Sequence, residues 1–264
     1  MKASVMTARL PALFISHGAP TLVLEDSPSR HFISRLGTEL PRPRAIVIVS
    51  AHWETRGLVV NHSPNPETIH DFYGFPEALY RLSYPARTDA PLCARLHELF
   101  AAAGLPAQST EQRGLDHGAW TPLMLMYPQA DIPIVNLSLP HQAPASELMR
   151  IGEALRPLRD EGVLIIASGS YTHNLRALAP EGSEPAPWAL AFRDWLDLQL
   201  ETGAHEALAD WLRLAPDARR NHPSDEHIAP LWIALGAGGR DAKASKLHDD
   251  WRMGNLSMAS WRFD

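Results

Sequence analysis

The chain has a single cysteine in 264 residues, Cys93. An intramolecular disulfide is therefore impossible, and nothing asks for an oxidising compartment. Cys93 lies in PLCARLHELF, whose apolar spacing is helical, and reads as a small buried hydrophobe. Long apolar runs are missing as well: no stretch reaches the ~18 residues that would cross a bilayer. The N-terminal MKASVMTARLPALFISHG has basic residues but too short an apolar segment for a signal peptide, and runs on into a strand-like segment. A cytoplasmic protein is expected, with no membrane partner. Basic clusters are also lacking. With a net charge of −6 and a pI of about 6.1, no row of Lys or Arg exists to neutralise phosphates, so nucleic acid is not an expected partner. No Walker A loop, no G-x-G-x-x-G after a strand, no H-E-x-x-H and no G-x-S-x-G elbow occurs, and Ser168-Gly169-Ser170 ends a strand without a distinctive nucleophile turn.

What is present is an ordinary globular composition, 45% hydrophobic and 20% charged. Four short aliphatic runs stand out: Ala12–Ser16, Ala45–Ser50, Ile132–Leu137 and Val163–Ser168. Each is continuous rather than alternating, the pattern of strands buried on both faces beneath helices. Gly57–Asn61 and Leu256–Arg262 are shorter strand candidates. Helical spacing covers Arg30–Leu40, Pro91–Ala103, Pro144–Leu158 and Trp188–Leu200, with a further helix over Ile228–Leu235 stopped by Gly236, Gly238 and Gly239. Trp188, Phe192, Trp195 and Leu196 form an apolar stripe that reads as core. Strands alternating with helices predict one α/β domain over 1–264, its core about 11–262, with a mostly parallel central sheet flanked by helices.

The 13 histidines carry the chemistry. His17 directly follows the first aliphatic run, His52 follows the second after Ala51, and His173 follows the fourth across Gly169–Thr172. Open α/β sheets bind ligands beyond the carboxyl ends of their strands, so three histidines delivered there can meet in one cleft. Neutral imidazoles suit zinc, iron, copper or nickel, and Gly18 and Gly169 permit close approach of backbone or substrate. The competing reading is a set of hydrogen-bonded structural histidines. His117, before an expected helix at Pro122–Tyr127, is either a general acid/base, a donor to a neighbouring ligand, or a turn residue capping that helix. Ser224 reads as an N-cap that places Glu226 and His227 in a first helical turn, with a solvated cap cluster as the alternative. His31, His62, His97, His141, His205 and His248 read as surface or core residues without convergence, and His70 as a residue that could line a pocket.

PALFISHGAP, SAHWET, HDFYGFPEALY, LDHGAWTPLMLMYPQADIPIVNLS, SGSYTHNL and NHPSDEHIAPL follow one another in fixed order. Together they resemble the DOPA extradiol dioxygenase-type branch of the class III ring-cleaving dioxygenases, from about Pro11 to Trp261. The resemblance implies metal ligands His17, His52 and His227, with Glu226 the rival for the third position. It implies His173 as catalytic base and a possible fourth ligand to zinc, and His117 as a catalytic residue assisting substrate or oxygen. The implied cofactor is Fe(II), with Zn(II) able to occupy the site. The implied reaction inserts O₂ into a DOPA-like catechol beside the diol and yields a ring-opened semialdehyde. Trp53, Tyr73, Trp120 and Tyr171 adjoin these motifs and are candidates to stack on the ring. A zinc-dependent hydrolase or a non-catalytic binding protein on the same scaffold are the rival readings.

Overall fold

The structure, a computed structural model, describes residues 9–264, so the first eight residues of the N-terminal segment read above for a signal peptide lie outside the described residues. In chain order the elements are β1 (Ala12–Ser16), α1 (Pro28–Glu39), β2 (Ala45–Thr55), β3 (Leu58–Asn61), α2 (Ala90–Ala102), β4 (Ala107–Thr110), α3 (His117–Met126), β5 (Ile134–Pro140), α4 (Ala145–Leu155) and β6 (Val163–Gly169). There follow α5 (Pro187–Glu201), the short α6 (His205–Ala209), α7 (Trp211–Leu214) and α8 (Ala218–Asn221), then α9 (Ala229–Gly238) and the strands β7 (Ala244–His248), β8 (Trp251–Arg252), β9 (Leu256–Ser257) and β10 (Ser260–Phe263).

The main sheet has the order β4-β3-β5-β2-β6-β1-β10-β7. Its centre, β5-β2-β6-β1, is parallel throughout, so these strands end on one side of the molecule. Side chains alternate between faces. Leu13, Ile15, Ile46, Ile48, Leu164 and Ile166 pack with α1 and α3, whereas Ala12, Phe14, Val47, Val49, Ile165 and Ala167 pack with α2, α4, α5 and α9. Both faces are covered, which is why these strands read as unbroken aliphatic runs. The expected single α/β domain with a mostly parallel sheet is observed.

Several expectations need correction. The second strand continues through His52 to Thr55, because after a register shift between Val49 and Glu54 it pairs with β5 again at Leu139 and Pro140. The helix expected at Pro122–Tyr127 begins at His117, where Asp116 accepts from the Ala119 N–H as N-cap. Ser224 is no N-cap: its hydroxyl donates to Glu226, and α9 starts at Ala229 with Pro230 in its first turn, a place where a missing N–H costs nothing. Gly236 and Gly238 lie inside α9, and only Gly239, at φ 96°, stops it.

The glycines inside α9 serve packing. A Cβ on Gly236 would collide with the Met149 carbonyl of α4, and one on Gly152 of α4 would collide with the Ile233 carbonyl of α9. The two helices therefore touch backbone to backbone, and every residue of α9 is buried. Gly236→Ala is expected to cost about 1–3 kcal/mol or more by forcing the helices apart, despite alanine's better helix propensity, as read from chemical denaturation.

A candidate metal centre at the carboxyl end of the sheet

Five histidines are delivered to one place by different devices. His17 follows β1, and its N–H donates to the Gly169 carbonyl at the end of β6 at 3.0 Å. His52 sits where β2 shifts register between Val49 and Glu54, a local irregularity that re-aims side chains. His117 opens α3. His173 is fixed by its N–H to the Asn221 carbonyl at 3.0 Å. His227 lies in the turn before α9, and its carbonyl accepts from the Ser170 N–H at 2.8 Å. That contact needs Gly169, since a Cβ there would strike the His227 carbonyl oxygen.

The Nε2 atoms of His17 and His52 face each other at 3.1 Å. The His117 ring centroid is 4.0 Å from that of His52 and 5.5 Å from that of His17. His227 lies 4.9 Å from His52 and 5.7 Å from His17, and the His173 ring stacks on it at 3.5 Å and 12°. Nitrogens of His17, His52 and His117 all lie within 4.8 Å of one another, as do ligand atoms of His173, Glu226 and His227.

Behind the rings, hydrogen bonds set the tautomers. The Ser168 hydroxyl gives its one proton to the Gly118 carbonyl at 2.5 Å. Towards His17 Nδ1, 2.9 Å away, it can then only accept, so His17 carries its proton on Nδ1 and a lone pair on Nε2. The Gly118 carbonyl is free for this because Pro122, four residues on in α3, has no N–H to offer it. His117 donates its backbone N–H to Asp71 Oδ1 at 2.8 Å and Nδ1–H to Oδ2 at 3.0 Å. His227 donates from Nδ1 to Glu226 Oε1 at 2.9 Å. Three rings thus have one nitrogen held from behind, which in a neutral imidazole leaves the lone pair on Nε2, the arrangement that metal-binding histidines use.

Burial keeps His17, His52, His173 and His227 uncharged. It is the largest influence on His17 and His227, both held well below the ordinary value, followed by neighbouring histidines. His52 is lowered to about 4 by burial and then by His117, and His173 to about 4 by burial. Burial alone would raise Asp71, but the hydrogen bonds it accepts from His117 outweigh this and bring the carboxyl down to about 2.

All five predicted histidines and Glu226 therefore meet. Sequence reading missed their supports: Asp71 and Ser168 were visible inside quoted motifs, but only the fold aims them at His117 and His17. The proposed ring-stacking aromatics do not hold. Trp120 is fully buried and donates to the Ile69 carbonyl, Tyr171 is fully buried and donates to Asp197, and Tyr73 is 92% exposed. Trp53 is buried beneath Arg113. The aromatic beside the centre is Phe72, edge-on to His117 at 5.9 Å. His70 donates from Nε2 to the Leu82 carbonyl and packs on Phe72 and Tyr80. A cavity of about 530 Å³ shares only Glu226 with the cluster.

Residues 11–264 match the family described as the catalytic LigB subunit of aromatic ring-opening dioxygenase. The chain belongs to this family. A relative from Beta vulgaris named 4,5-DOPA dioxygenase extradiol is 43% identical, with 95% of each chain covered. One of the same name from Escherichia coli K12 is 42% identical over 96% of this chain and 94% of its own. A crystal structure of an uncharacterized Escherichia coli K12 protein superposes with a TM-score of 0.82 at 37% identity, covering 97% of this chain and 100% of that one. This LigB-family chain is accordingly a non-haem, metal-dependent ring-opening dioxygenase. Its histidines fit a metal: two imidazole nitrogens bound side by side to one ion at about 2.1 Å stand about 3 Å apart, as those of His17 and His52 do.

The depressed histidines have a consequence for the metal-free protein. Unfolded, they would titrate near 6.5; folded, His52 and His173 resist protonation until about 4. Between those values the unfolded chain binds more protons, so stability falls as pH falls through this window. Urea midpoints of chelator-treated protein are expected to drop between pH 6.5 and 4, and a flat profile would contradict buried, neutral imidazoles.

Proposed function

We propose that the protein opens the ring of a DOPA-like catechol beside its diol, using O₂ and Fe(II) held by His17, His52 and His227. The observation that carries this reading is the 3.1 Å approach of the His17 and His52 Nε2 atoms beside the His227 ring, with Nδ1 of His17 and of His227 already engaged. The pairing of Glu226 with His227 Nδ1 supports His227 as the third ligand and Glu226 as the group that orients it. DOPA as substrate class rests on the names of the relatives from Beta vulgaris, Escherichia coli, Mirabilis jalapa and Portulaca grandiflora.

Bound Fe(II) supplies the route for one-electron transfer between diol and O₂ that a closed-shell side chain lacks. The chain's own residues manage protons and position. His173, neutral and stacked on His227, takes a hydroxyl proton from the catechol at the imidazole nitrogen facing the centre. His117, fixed by Asp71, presents Nε2 to the same space as a hydrogen-bond partner for substrate or oxygen. Phe72 gives one apolar wall. Zinc, which binds the same donor types, is expected to occupy the site without supporting turnover. A cytoplasmic setting belongs to this reading, supported by the lone Cys93 thiol, buried and raised to about 11 by that burial. Among the described residues no helix is long and apolar enough to cross a membrane.

The test is protein reconstituted anaerobically with Fe(II) and mixed with DOPA and simple catechols in air. Iron-dependent oxygen uptake with the yellow absorbance of a ring-opened semialdehyde is the expected result; silence with iron bound would turn attention to zinc-dependent hydrolysis. His17→Ala, His52→Ala and His227→Ala are expected to lose metal and turnover together. His173→Ala should retain metal while turnover falls about 10²–10⁴-fold, and an active variant would refute its role as base.

The chain from Pro122 to His17 gives a separate prediction. Ser168→Ala should weaken metal binding about 10–100-fold by releasing the His17 tautomer. Pro122→Ala should weaken it in the same direction but less, because a new N–H competes with Ser168 for the Gly118 carbonyl. Metal titration of both variants checks the order.

A further inference from the structure

Two histidines that the sequence leaves unconnected meet at the outer edge of the sheet. His62 follows β3, His97 lies on α2, and Ser109 is on β4, which pairs with β3. The Nε2 atoms of His62 and His97 are 3.1 Å apart, and Ser109 Oγ is 3.0 Å from His97 Nε2 and 3.4 Å from His62 Nε2. The three atoms form a closed triangle, with the rings 5.3 Å apart.

Hydrogen bonds can account for at most two of the three contacts in that triangle. A ring nitrogen either donates or accepts, and the hydroxyl has one proton. If His62 donates to Ser109 and Ser109 to His97, the two nitrogens face each other with no proton between them. If one imidazole donates to the other, the serine proton finds no free lone pair within the triangle and is left to solvent, which the exposed Ser109 reaches. Protonating both rings places two cations in contact, and His97 is held below its ordinary value by burial and then by His62. A divalent cation resolves all three contacts together. A point about 1.8 Å from each atom lies in their plane, so an ion at imidazole bond length, about 2.0–2.1 Å, fits just outside it.

We infer that His62 and His97, with Ser109 closing the third position, form a second divalent-metal site, of a donor type suited to Zn(II), Cu(II) or Ni(II). It is separate from the five-histidine centre. β5 stands between β3 and the His52-bearing β2, and β3 runs antiparallel to β5, so its carboxyl end points away from those of β2 and β6. A bound ion would tie β3, α2 and β4 together at the sheet edge.

The experiment is a Zn(II) titration of the full chain against a chromophoric chelator. His62→Ala and His97→Ala are each expected to bind one zinc fewer than the wild type, with iron-dependent turnover unchanged. His17→Ala should keep this zinc. His97→Gln, which preserves bulk beside α2, repeats the measurement should the alanine variant fail to fold. Equal zinc counts in the wild type and the folded His62 and His97 variants would overturn the inference.

Discussion

Five imidazoles share one buried end of the sheet, and the cost of burying charge there governs everything around them. Uncharged, each ring offers one donor and one acceptor nitrogen, so its usefulness depends on which nitrogen is occupied from behind. Ser168, Asp71 and Glu226 occupy Nδ1 of His17, His117 and His227. The Ser168 contact works only because the Gly118 carbonyl has been left without a helical partner by Pro122. A residue that looks like a helix defect thereby settles where a proton sits on a candidate ligand in another element.

Close backbone approach is the second requirement. Gly118 packs against Ser50, His52 and His17, and Gly169 against the His227 carbonyl, with no room for a Cβ at either. Beneath them the α4–α9 contact uses Gly152 and Gly236 in the same way, seating α9 against β6 and β1. The turn that carries His227 is thus held from its carboxyl side by a wholly buried helix and from its own carbonyl by the end of β6. Rigid supports of this kind hold ligand geometry better than a free loop can.

The same reasoning separates the two histidine groups. At the sheet's carboxyl end, carboxylates and a hydroxyl stand behind the rings and fix their tautomers. At the outer edge, His62, His97 and Ser109 turn one atom each to a common point, and that convergence is what points to a cation.

Much was legible in the chain itself. β1 coincides with the aliphatic run Ala12–Ser16, because a strand buried on both faces must be apolar at every position. The placement of His17, His52 and His173 after such runs located the centre, since parallel strands end together. The sequence could not show that β2 continues through His52, because register depends on what β5 offers alongside. Nor could it distinguish Glu226 from His227, as adjacent residues in a turn have no periodicity to orient them. Asp71 and His117, and likewise His62 and His97, are separated by stretches of chain with no local coupling. Apolar patterning acts between near neighbours and so is written in the sequence, whereas the direction of a hydrogen bond between distant elements exists only once packing has brought them within 3 Å or so.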